Sequence, residues 1–298
     1  MAERVTVTKT HKLFINGAFP RSESGRSLPV MGAKGAVIAH LCLASRKDWR
    51  EAVEAAAKAQ PGWWNRTAYN RGQILYRLAE MLEGRKTEFV EAIKSVPTRA
   101  RGKSSAGALT PAKEVDLAID RLVCFAGWCD KFTTILGGEN PVAGPFYNFT
   151  TPEPVGVAAL VAPDRPALLG LISLLAPALC AGNACVLFAG EANPIPACLL
   201  GEVCATSDVP AGVVNILTGS RAELLKEIAN HRNVGLIAAA GLNQDDRRTL
   251  ELGSADNLKR VTMFNWQEAD YRDAEACENP WAIEPFVDSG VGHPAIAI

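Results

Sequence analysis

Eight cysteines are the side chains of this sequence that could serve as nucleophiles or metal ligands: Cys42, Cys124, Cys129, Cys180, Cys185, Cys198, Cys204 and Cys277. They form no C-x-x-C pair, and no histidine lies near them at the spacing of a zinc site. Most of them fall within apolar runs, where a free cysteine acts as a small core residue. The sequence therefore predicts no metal site and reduced thiols, as in the cytoplasm, where disulfides are rare.

Cys277 is the cysteine that would have to act if the chain carried its own nucleophile. A reactive cysteine needs a neighbouring base or a positive field, which lowers the pKa of the thiol. Cys277 lies instead in the segment DAEACENP, whose carboxylates raise the pKa of a thiol. We therefore predict no catalytic residue at this position.

The elements that would position a site are organised around the stretch Pro154 to Gly219. Within it Val155 to Val161 is an apolar run, Ala167 to Ala181 is long enough for a helix, and Cys185 to Phe188 is apolar again. Continuous apolar runs are typical of strands that are buried on both faces of a parallel sheet. The stretch therefore predicts a strand, a helix and a second strand.

The alternation continues beyond this stretch. We predict strands at Val213 to Leu217, Val234 to Ala240 and Lys259 to Phe264, with helices at Arg221 to Asn230 and Asp245 to Leu252. Five strands joined by right-handed crossovers form an open, doubly wound, Rossmann-like parallel sheet of the α/β class. The ligand crevice of such a sheet lies beyond the carboxyl ends of its strands.

Helices precede the sheet. Ser45 to Asp48 carries capping residues for a helix that runs to about Gln60, and Pro61-Gly62 is expected to end it. Pro111 to Phe132 shows the period of a long helix. A helix between these two has one apolar face, formed by Ile74, Leu75, Leu78, Met81 and Leu82. Trp63 and Trp64 are expected to be core anchors.

The segment Ser95 to Thr110 lacks apolar periodicity and is predicted to be a solvated loop. Its basic residues leave open a second interpretation, a clamp for an acidic patch on a partner.

Four motifs make the sequence resemble the aldehyde dehydrogenase superfamily. They are the EPVGV segment from Glu153, the LAPAL-x-AGN segment from Leu175, the glutamate at Glu191, and P-x-GVVN-x-x-TG from Pro210. The resemblance implies a dinucleotide-binding domain over residues 1–264, with a hairpin extension at about 137–157 and a divergent tail at 265–298. It does not reach the family's catalytic half. The tail shows no clear helical or strand period, and the sequence leaves open whether it is ordered.

The resemblance also implies where catalytic groups should lie, and these positions are not retained. The family's P-W-N segment aligns with Pro163 to Arg165, so Arg165 replaces the amide that stabilises the oxyanion. L-E-L-G-G aligns with Met263 to Gln267, which places Phe264 at the position of the general base. Arg165 is expected to pair with Asp164 or Glu191, although it could instead hold an anionic substrate. The sequence leaves open whether the chain is an enzyme.

Cofactor binding is weakened by the same kind of replacement. The resemblance assigns Glu191 to the adenosine ribose of NAD or NADP, but Phe188 replaces the lysine that accompanies it. F-T-G-S-x-x-x-G aligns with Ala239 to Asp246, where Gly241 survives and two aspartates begin the helix. These carboxylates repel a pyrophosphate. Glu191 and Gly241 are therefore weak candidates for NAD(P) binding, and Gly241 could equally be an ordinary turn glycine.

The hairpin is expected to mediate association. Phe146, Tyr147 and Phe149 give it the composition of a strand, and an exposed strand edge invites pairing with another chain. In the resembling family the covering strand comes from parts that this sequence lacks. We expect self-association or, preferentially, assembly with a full-length aldehyde dehydrogenase.

Bulk properties exclude other classes. A formal charge of −1 and a pI near 6.5 provide no basic surface for nucleic acid. No secretory signal is visible, so the chain is expected in the cytoplasm. The uncharged run from Pro166 to Gly190 is interrupted by Pro177 and Gly182 and is expected to be buried rather than to cross a membrane.

These observations favour a structural or regulatory partner of a full-length aldehyde dehydrogenase that lacks independent catalysis. One alternative is an oxidoreductase subunit that still binds NAD(P) and contributes to aldehyde oxidation. The other is a stand-alone protein that binds a small ligand in the vacated crevice.

Overall fold

The computed structural model describes residues 7–32, 35–96, 109–144 and 147–292. It begins with a small sheet of β1 (Lys9–His11), β2 (Ser27–Met31) and β3 (Val37–Cys42), in the order β1-β3-β2. Five helices follow: α1 (Arg46–Trp64), α2 (Ala68–Gly84), α3 (Lys86–Ser95), α4 (Pro111–Trp128) and α5 (Phe132–Leu136). Most of the predicted loop between α3 and α4 lies outside the described residues.

Helix α1 begins where the sequence predicted and ends later. Ser45 and Asp48 form a capping box at its start. The predicted end at Gln60 is wrong, because the helix continues through Pro61 to Trp64. Trp63 is buried, and its Nε1 donates to the carbonyl oxygen of Leu179 at 3.2 Å. The packing of this large side chain offsets the hydrogen bond lost at the proline.

The predicted apolar face of α2 is confirmed. Ile74, Leu75, Leu78 and Leu82 are buried in the core, where α2 packs along α4. The two helices approach closely at Gly72, since a Cβ there would lie 2.7 Å from the carbonyl oxygen of Ala126.

A hairpin follows α5. It joins β4 (Gly138–Glu139) to β5 (Phe149–Pro154) in antiparallel pairing. Phe146 lies outside the described residues, whereas Tyr147 is exposed and its ring lies 5.5 Å from that of Phe149. The predicted hairpin is therefore present among the described residues on either side of this gap.

The predicted parallel sheet is confirmed. Its strands lie in the order β10-β9-β6-β7-β8, and every neighbouring pair is parallel. The residues of the four strands other than β10 are buried throughout, as their continuous apolar runs predicted. The strands are β6 (Val157–Val161), β7 (Ala184–Phe188), β8 (Val214–Leu217), β9 (Leu236–Ala240) and β10 (Arg260–Phe264).

Four helices connect these strands: α6 (Leu169–Cys180), α7 (Ile195–Thr206), α8 (Arg221–Asn230) and α9 (Gln244–Ala255). The uncharged run of the sequence folds into α6 and β7, and all residues of both are buried. Across the described part of the chain, no helix combines the length and the apolar character needed to cross a membrane.

The sequence left open whether the tail is ordered, and its described part, 265–292, is folded. It contains α10 (Ala274–Cys277), three short 3-10 helices and β11 (Val287–Gly292). Elements of three or four residues are too short to show a hydrophobic period, and the sequence of β11, VDSGVG, is largely polar. Strand β11 pairs antiparallel with β5 over six residues and gives a sheet in the order β11-β5-β4. The strand that covers the hairpin therefore comes from this chain, contrary to the expectation.

The tail packs into the main core. Tyr271, Cys277, Ile283 and Phe286 are almost fully buried. The side-chain amide (Nδ2) of Asn183 donates to the backbone carbonyl oxygen of Phe286 at 2.8 Å, and this bond connects the tail to the turn before β7.

Candidate functional site

An ion pair between a buried arginine and a partly exposed aspartate lies at the carboxyl edge of the central sheet. The guanidinium of Arg221, the first residue of α8, donates to both carboxylate oxygens of Asp164 at 2.9 and 3.1 Å. It also donates to the carbonyl oxygen of Ala162 at 3.0 Å. The Arg221 side chain is 8% exposed, so this bidentate pair is partly shielded from water. The pair joins the turn after β6 to the start of α8.

Asp164 also fills the turn that follows β7. Its Oδ1 accepts hydrogen bonds from the backbone N–H groups of Glu191 at 2.8 Å and Ala192 at 3.3 Å. The expectation that Arg165 pairs with Asp164 or Glu191 is wrong, because Arg221 takes that place. Arg221 is buried and its guanidinium faces Asp164, whereas Arg165 is half-buried.

Glu191, the predicted ribose-binding residue, caps a helix. Its Oε1 accepts a hydrogen bond from the backbone N–H of Arg221 at 2.6 Å. The residue before Arg221, Ser220, makes no side-chain capping bond of its own, so Glu191 supplies the missing acceptor. A carboxylate at this position also interacts favourably with the dipole of α8.

A carboxylate from a distant helix occupies the start of α6. Glu114 of α4 is 5% exposed, and its Oε1 accepts from the backbone N–H groups of Leu168 at 2.7 Å and Leu169 at 3.4 Å. Burial raises the pKa of this carboxyl, and the backbone hydrogen bonds oppose the rise. The first strand-to-helix turn of a Rossmann-like sheet is where a dinucleotide pyrophosphate binds. Here that helix N-terminus is already bonded to a carboxyl group of the protein.

Replacing Glu114 with glutamine is expected to change how stability depends on pH. The pKa of Glu114 is raised above 4.5 by folding, so the folded chain holds this proton more tightly than the unfolded chain. The stability due to the protonated form is therefore present at low pH and is lost as the pH rises through the folded-state pKa. Glu114→Gln should remove this loss.

Urea unfolding at about pH 5 and about pH 8 measures the effect. The free energy of unfolding should fall more steeply with pH for the natural chain than for Glu114→Gln. Glu251→Gln, at an exposed position of α9, is the control and should follow the natural chain. Parallel curves for all three proteins would contradict the assignment.

The start of α9 is capped by the protein as well. The side-chain oxygen of Asn243 accepts a hydrogen bond from the backbone N–H of Asp246 at 2.8 Å. The side chains of Asp245 and Asp246 place two carboxylates in the first turn. Gly241 precedes this helix with a φ of +65°, and a Cβ there would lie 2.8 Å from Cβ of Pro163. Turn geometry and close packing therefore account for Gly241 without a ligand.

Aromatic side chains narrow the crevice beside β9 and β10. Phe264 stacks on Trp266 at 4.3 Å between ring centroids, and Trp266 meets Tyr271 of the tail edge-on at 5.3 Å. The cavity that remains between Gly241 and Phe264 has a volume of about 100 Å³. Small-molecule sites typically have volumes of about 300–1,000 Å³, so this cavity is too small for an extended ligand.

The residues at this edge do not fit a dinucleotide. Phe188 is completely buried and offers no charge to a ribose or phosphate. The starts of α6, α8 and α9 are each already bonded to an oxygen acceptor of the protein. A pyrophosphate binds to N–H groups of this kind, so at these helix starts it would compete with acceptors that the protein itself supplies.

The cysteines behave as core residues, as predicted. All eight are free and all but Cys124 are buried. Burial raises the pKa of Cys277, and its Sγ lies 3.3 Å from the carbonyl oxygen of Asp270 as a hydrogen-bond donor. In the part of the chain that the structure describes, no three His, Cys, Asp or Glu side chains converge as metal ligands would.

Comparison with known proteins shows the family of this chain. The profile of the aldehyde dehydrogenase family matches residues 21–264. Retinal dehydrogenase 2 of Gallus gallus is 35% identical over 261 residues, which are 86% of this chain and 48% of that protein. Cytosolic aldehyde dehydrogenase 1 of Elephantulus edwardii is 34% identical over 256 residues, 85% of this chain and 49% of that protein. The chain belongs to the aldehyde dehydrogenase family.

Solved structures agree. PnpE from Pseudomonas sp. WBC-3 in complex with nicotinamide adenine dinucleotide is 28% identical, with a TM-score of 0.77 over 85% of this chain and 50% of PnpE. The NAD⁺ complex of a Bacillus cereus aldehyde dehydrogenase is 26% identical with a TM-score of 0.77, over 85% of this chain and 50% of that one. The chain thus spans about half the length of the relatives it matches.

Two features of the site were missed by sequence reasoning. Glu114 precedes Leu168 by 54 residues, and no local pattern connects them. Arg221 carried a usable signal, because a cation in the first turn of a helix opposes the helix dipole unless a carboxylate accompanies it.

Proposed function

We propose that this protein is an aldehyde dehydrogenase family member that does not oxidise aldehydes by itself and acts as a structural or regulatory partner of a full-length aldehyde dehydrogenase. One observation carries the proposal. The backbone N–H groups at the carboxyl edge of the sheet already donate to Glu114, Asp164 and Glu191. A dinucleotide would have to displace these carboxylates, each of which is bonded within the fold.

The positions implied by family resemblance support the same conclusion. Arg165 lies where an amide would stabilise the oxyanion, and a long cationic side chain cannot reproduce that neutral donor geometry. Phe264 lies where the general base would be, and its ring stacks on Trp266. A phenyl ring cannot accept a proton from water.

A second function is supported by one observation. Glu191 is exposed, and only its Oε1 bonds to the helix start, so a second oxygen faces solvent and could receive a ribose. Relatives of this fold bind NAD⁺. An NAD(P)-binding oxidoreductase subunit that contributes to aldehyde oxidation is therefore the alternative.

The cellular setting that we propose is the cytoplasm. Eight free thiols in one chain are compatible with a reducing compartment, because such thiols pair or oxidise elsewhere.

The sheet of β11, β5 and β4 supports association. Its two outer strands each pair on one side only among the described residues, and Val291 of β11 is 56% exposed. Tyr147 and Phe149 add aromatic area beside it. An unpaired strand edge with exposed apolar side chains is a surface on which another chain can add a strand.

The double variant Tyr147→Ser/Phe149→Ser is expected to weaken association with a co-expressed full-length aldehyde dehydrogenase, since it removes the aromatic area and leaves the central sheet intact. Sedimentation velocity of the mixture measures this. Tyr69→Ser, at a 68% exposed position of α2, is the matched control and should assemble normally. A monomer that is stable at tens of micromolar and does not shift with the dehydrogenase would contradict the proposal.

A further inference from the structure

An open groove with a volume of about 620 Å³ lies between α2 and α4. Small-molecule sites typically have volumes of about 300–1,000 Å³, so the groove is large enough for a ligand. None of the described residues that line it belongs to the central sheet or to the turns at the carboxyl edge of that sheet. The groove is therefore separate from the crevice.

Small residues form the floor of the groove. Gly72 of α2 lies so close to α4 that a Cβ at this position would lie 2.7 Å from the carbonyl oxygen of Ala126. At Gly127 of α4 the situation is the opposite, since a Cβ there would meet no neighbouring atom within 4 Å. The two helices thus approach each other closely and still leave a hollow beside Gly127.

Aromatic and apolar side chains form the walls of this hollow. Tyr69 and Tyr76 are seven residues apart, which places them on one face of α2, and Val123 is four residues before Gly127 on α4. Tyr69 is 68% exposed, Tyr76 is 54% exposed and Val123 is 41% exposed. Much of the ring surface of both tyrosines is therefore open to a ligand.

The two cations of the groove already have carboxylate partners. Nη1 of Arg77 lies 3.0 Å from Oε2 of Glu80, and Nζ of Lys131 lies 2.6 Å from Oδ1 of Asp130. Lys131 also donates to the backbone carbonyl oxygen of Gly127 at 2.6 Å. An anionic ligand would have to compete with these carboxylates of the protein for the two cations.

Asp208, in the segment between α7 and β8, supplies a further carboxylate. It is exposed, and it forms no ion pair with any residue that the structure describes. The groove therefore contains three carboxylates, those of Glu80, Asp130 and Asp208, against the two cations, which gives a net charge of −1. This charge complements a ligand that carries one positive charge.

We propose that the groove between α2 and α4 binds small arylalkylammonium ions, in which an aromatic ring is joined to a protonated amine. The aromatic ring of the ligand fills the hollow beside Gly127, and the ammonium pairs with Asp208. The π faces of Tyr69 and Tyr76 attract the same positive charge. The site is independent of whether the chain assembles with a full-length aldehyde dehydrogenase.

Ligand-observed NMR titration of the intact protein with 2-phenylethylammonium measures this binding. We expect saturable binding with a Kd of about 1 mM or tighter for an ion of about nine non-hydrogen atoms. Two analogues test the role of the charge: 2-phenylethanol is neutral, and 3-phenylpropanoate is an anion. Both should bind about fivefold more weakly or less, because they lose the ion pair and the attraction to the tyrosine rings.

A variant that fills the hollow tests the location of the site. Gly127→Leu should weaken binding by about tenfold or more, because the new side chain occupies the place of the ligand ring. The helix should remain folded, since leucine favours a helix more than glycine does. Gly62→Leu makes the same change at an exposed glycine of α1, where a Cβ also meets no neighbouring atom within 4 Å, and should bind normally.

A second variant tests the carboxylate without changing the shape of the groove. Asp208→Asn should weaken binding of 2-phenylethylammonium about threefold and leave that of 2-phenylethanol unchanged. Absence of saturable binding, equal affinities for the ammonium ion and the alcohol in the natural protein, or unchanged binding in Gly127→Leu would each overturn the proposal.

Discussion

Replacing Arg121 with methionine is expected to lower the free energy of unfolding by about 3–5 kcal/mol. Arg121 is completely buried in α4 and holds the tail against the core. Its guanidinium donates to the hydroxyl of Ser173 and, at 2.8 Å, to the carbonyl oxygen of Tyr271, and its Nε lies 3.6 Å from the Glu278 carboxylate. Removing the cation leaves these acceptors without their buried partner, and each unsatisfied group carries a desolvation cost.

Urea unfolding measures this loss, and Arg77→Met is the control. Arg77 of α2 pairs with Glu80 at 3.0 Å, but both side chains are about half exposed, so its replacement should change stability by less than about 0.5 kcal/mol. Limited proteolysis should show faster cleavage within 265–292 in Arg121→Met only. Equal stability losses in the two variants would contradict the role given to Arg121.

Replacing Phe286 alone with alanine is expected to lower the free energy of unfolding by about 3–5 kcal/mol. The Phe286 ring is completely buried in the cluster that also contains α4 and α6 side chains. Truncation removes the apolar contacts and leaves a cavity that rigid neighbours do not fill.

Trp281→Ala provides a matched control within the same tail. Trp281 is larger than Phe286 but is 60% exposed, so its removal should have a much smaller effect. If the tail were attached only loosely, both variants would unfold like the natural chain. Such a result would separate 265–292 from the cooperative unit of the sheet.

The parts of the fold that the sequence predicted are those governed by local patterns. Strands β6 and β7 are buried on both faces, so their residues form continuous apolar runs, and such runs predict buried strands. The end of α1 was missed because the burial of Trp63, a tertiary contact, outweighs the local effect of Pro61. The order of the central strands was therefore predictable, whereas boundaries that depend on tertiary packing were not: α1 ends at Trp64 instead of Gln60, and α4 ends at Trp128 instead of Phe132.

The structure of the tail and the contacts of the site could not be predicted because they depend on residues far apart in the sequence. Strand β11 of the tail is specified by pairing with β5, more than a hundred residues earlier, and not by its own composition. Phe188, Phe264 and Asp246 could be identified as replacements in the cofactor site, whereas the carboxylate that fills the start of α6 comes from Glu114 on another helix. Only the folded chain brings Glu114 to Leu168.

Isothermal titration of the purified protein with NAD⁺ and NADP⁺ distinguishes a partner that binds no dinucleotide from an NAD(P)-binding subunit. We expect no saturable binding up to about 1 mM of either dinucleotide, because Glu114, Asp164 and Glu191 already occupy backbone N–H groups at the carboxyl edge of the sheet. A saturable isotherm with a Kd of about 10 µM or tighter would contradict this expectation and would favour the NAD(P)-binding subunit.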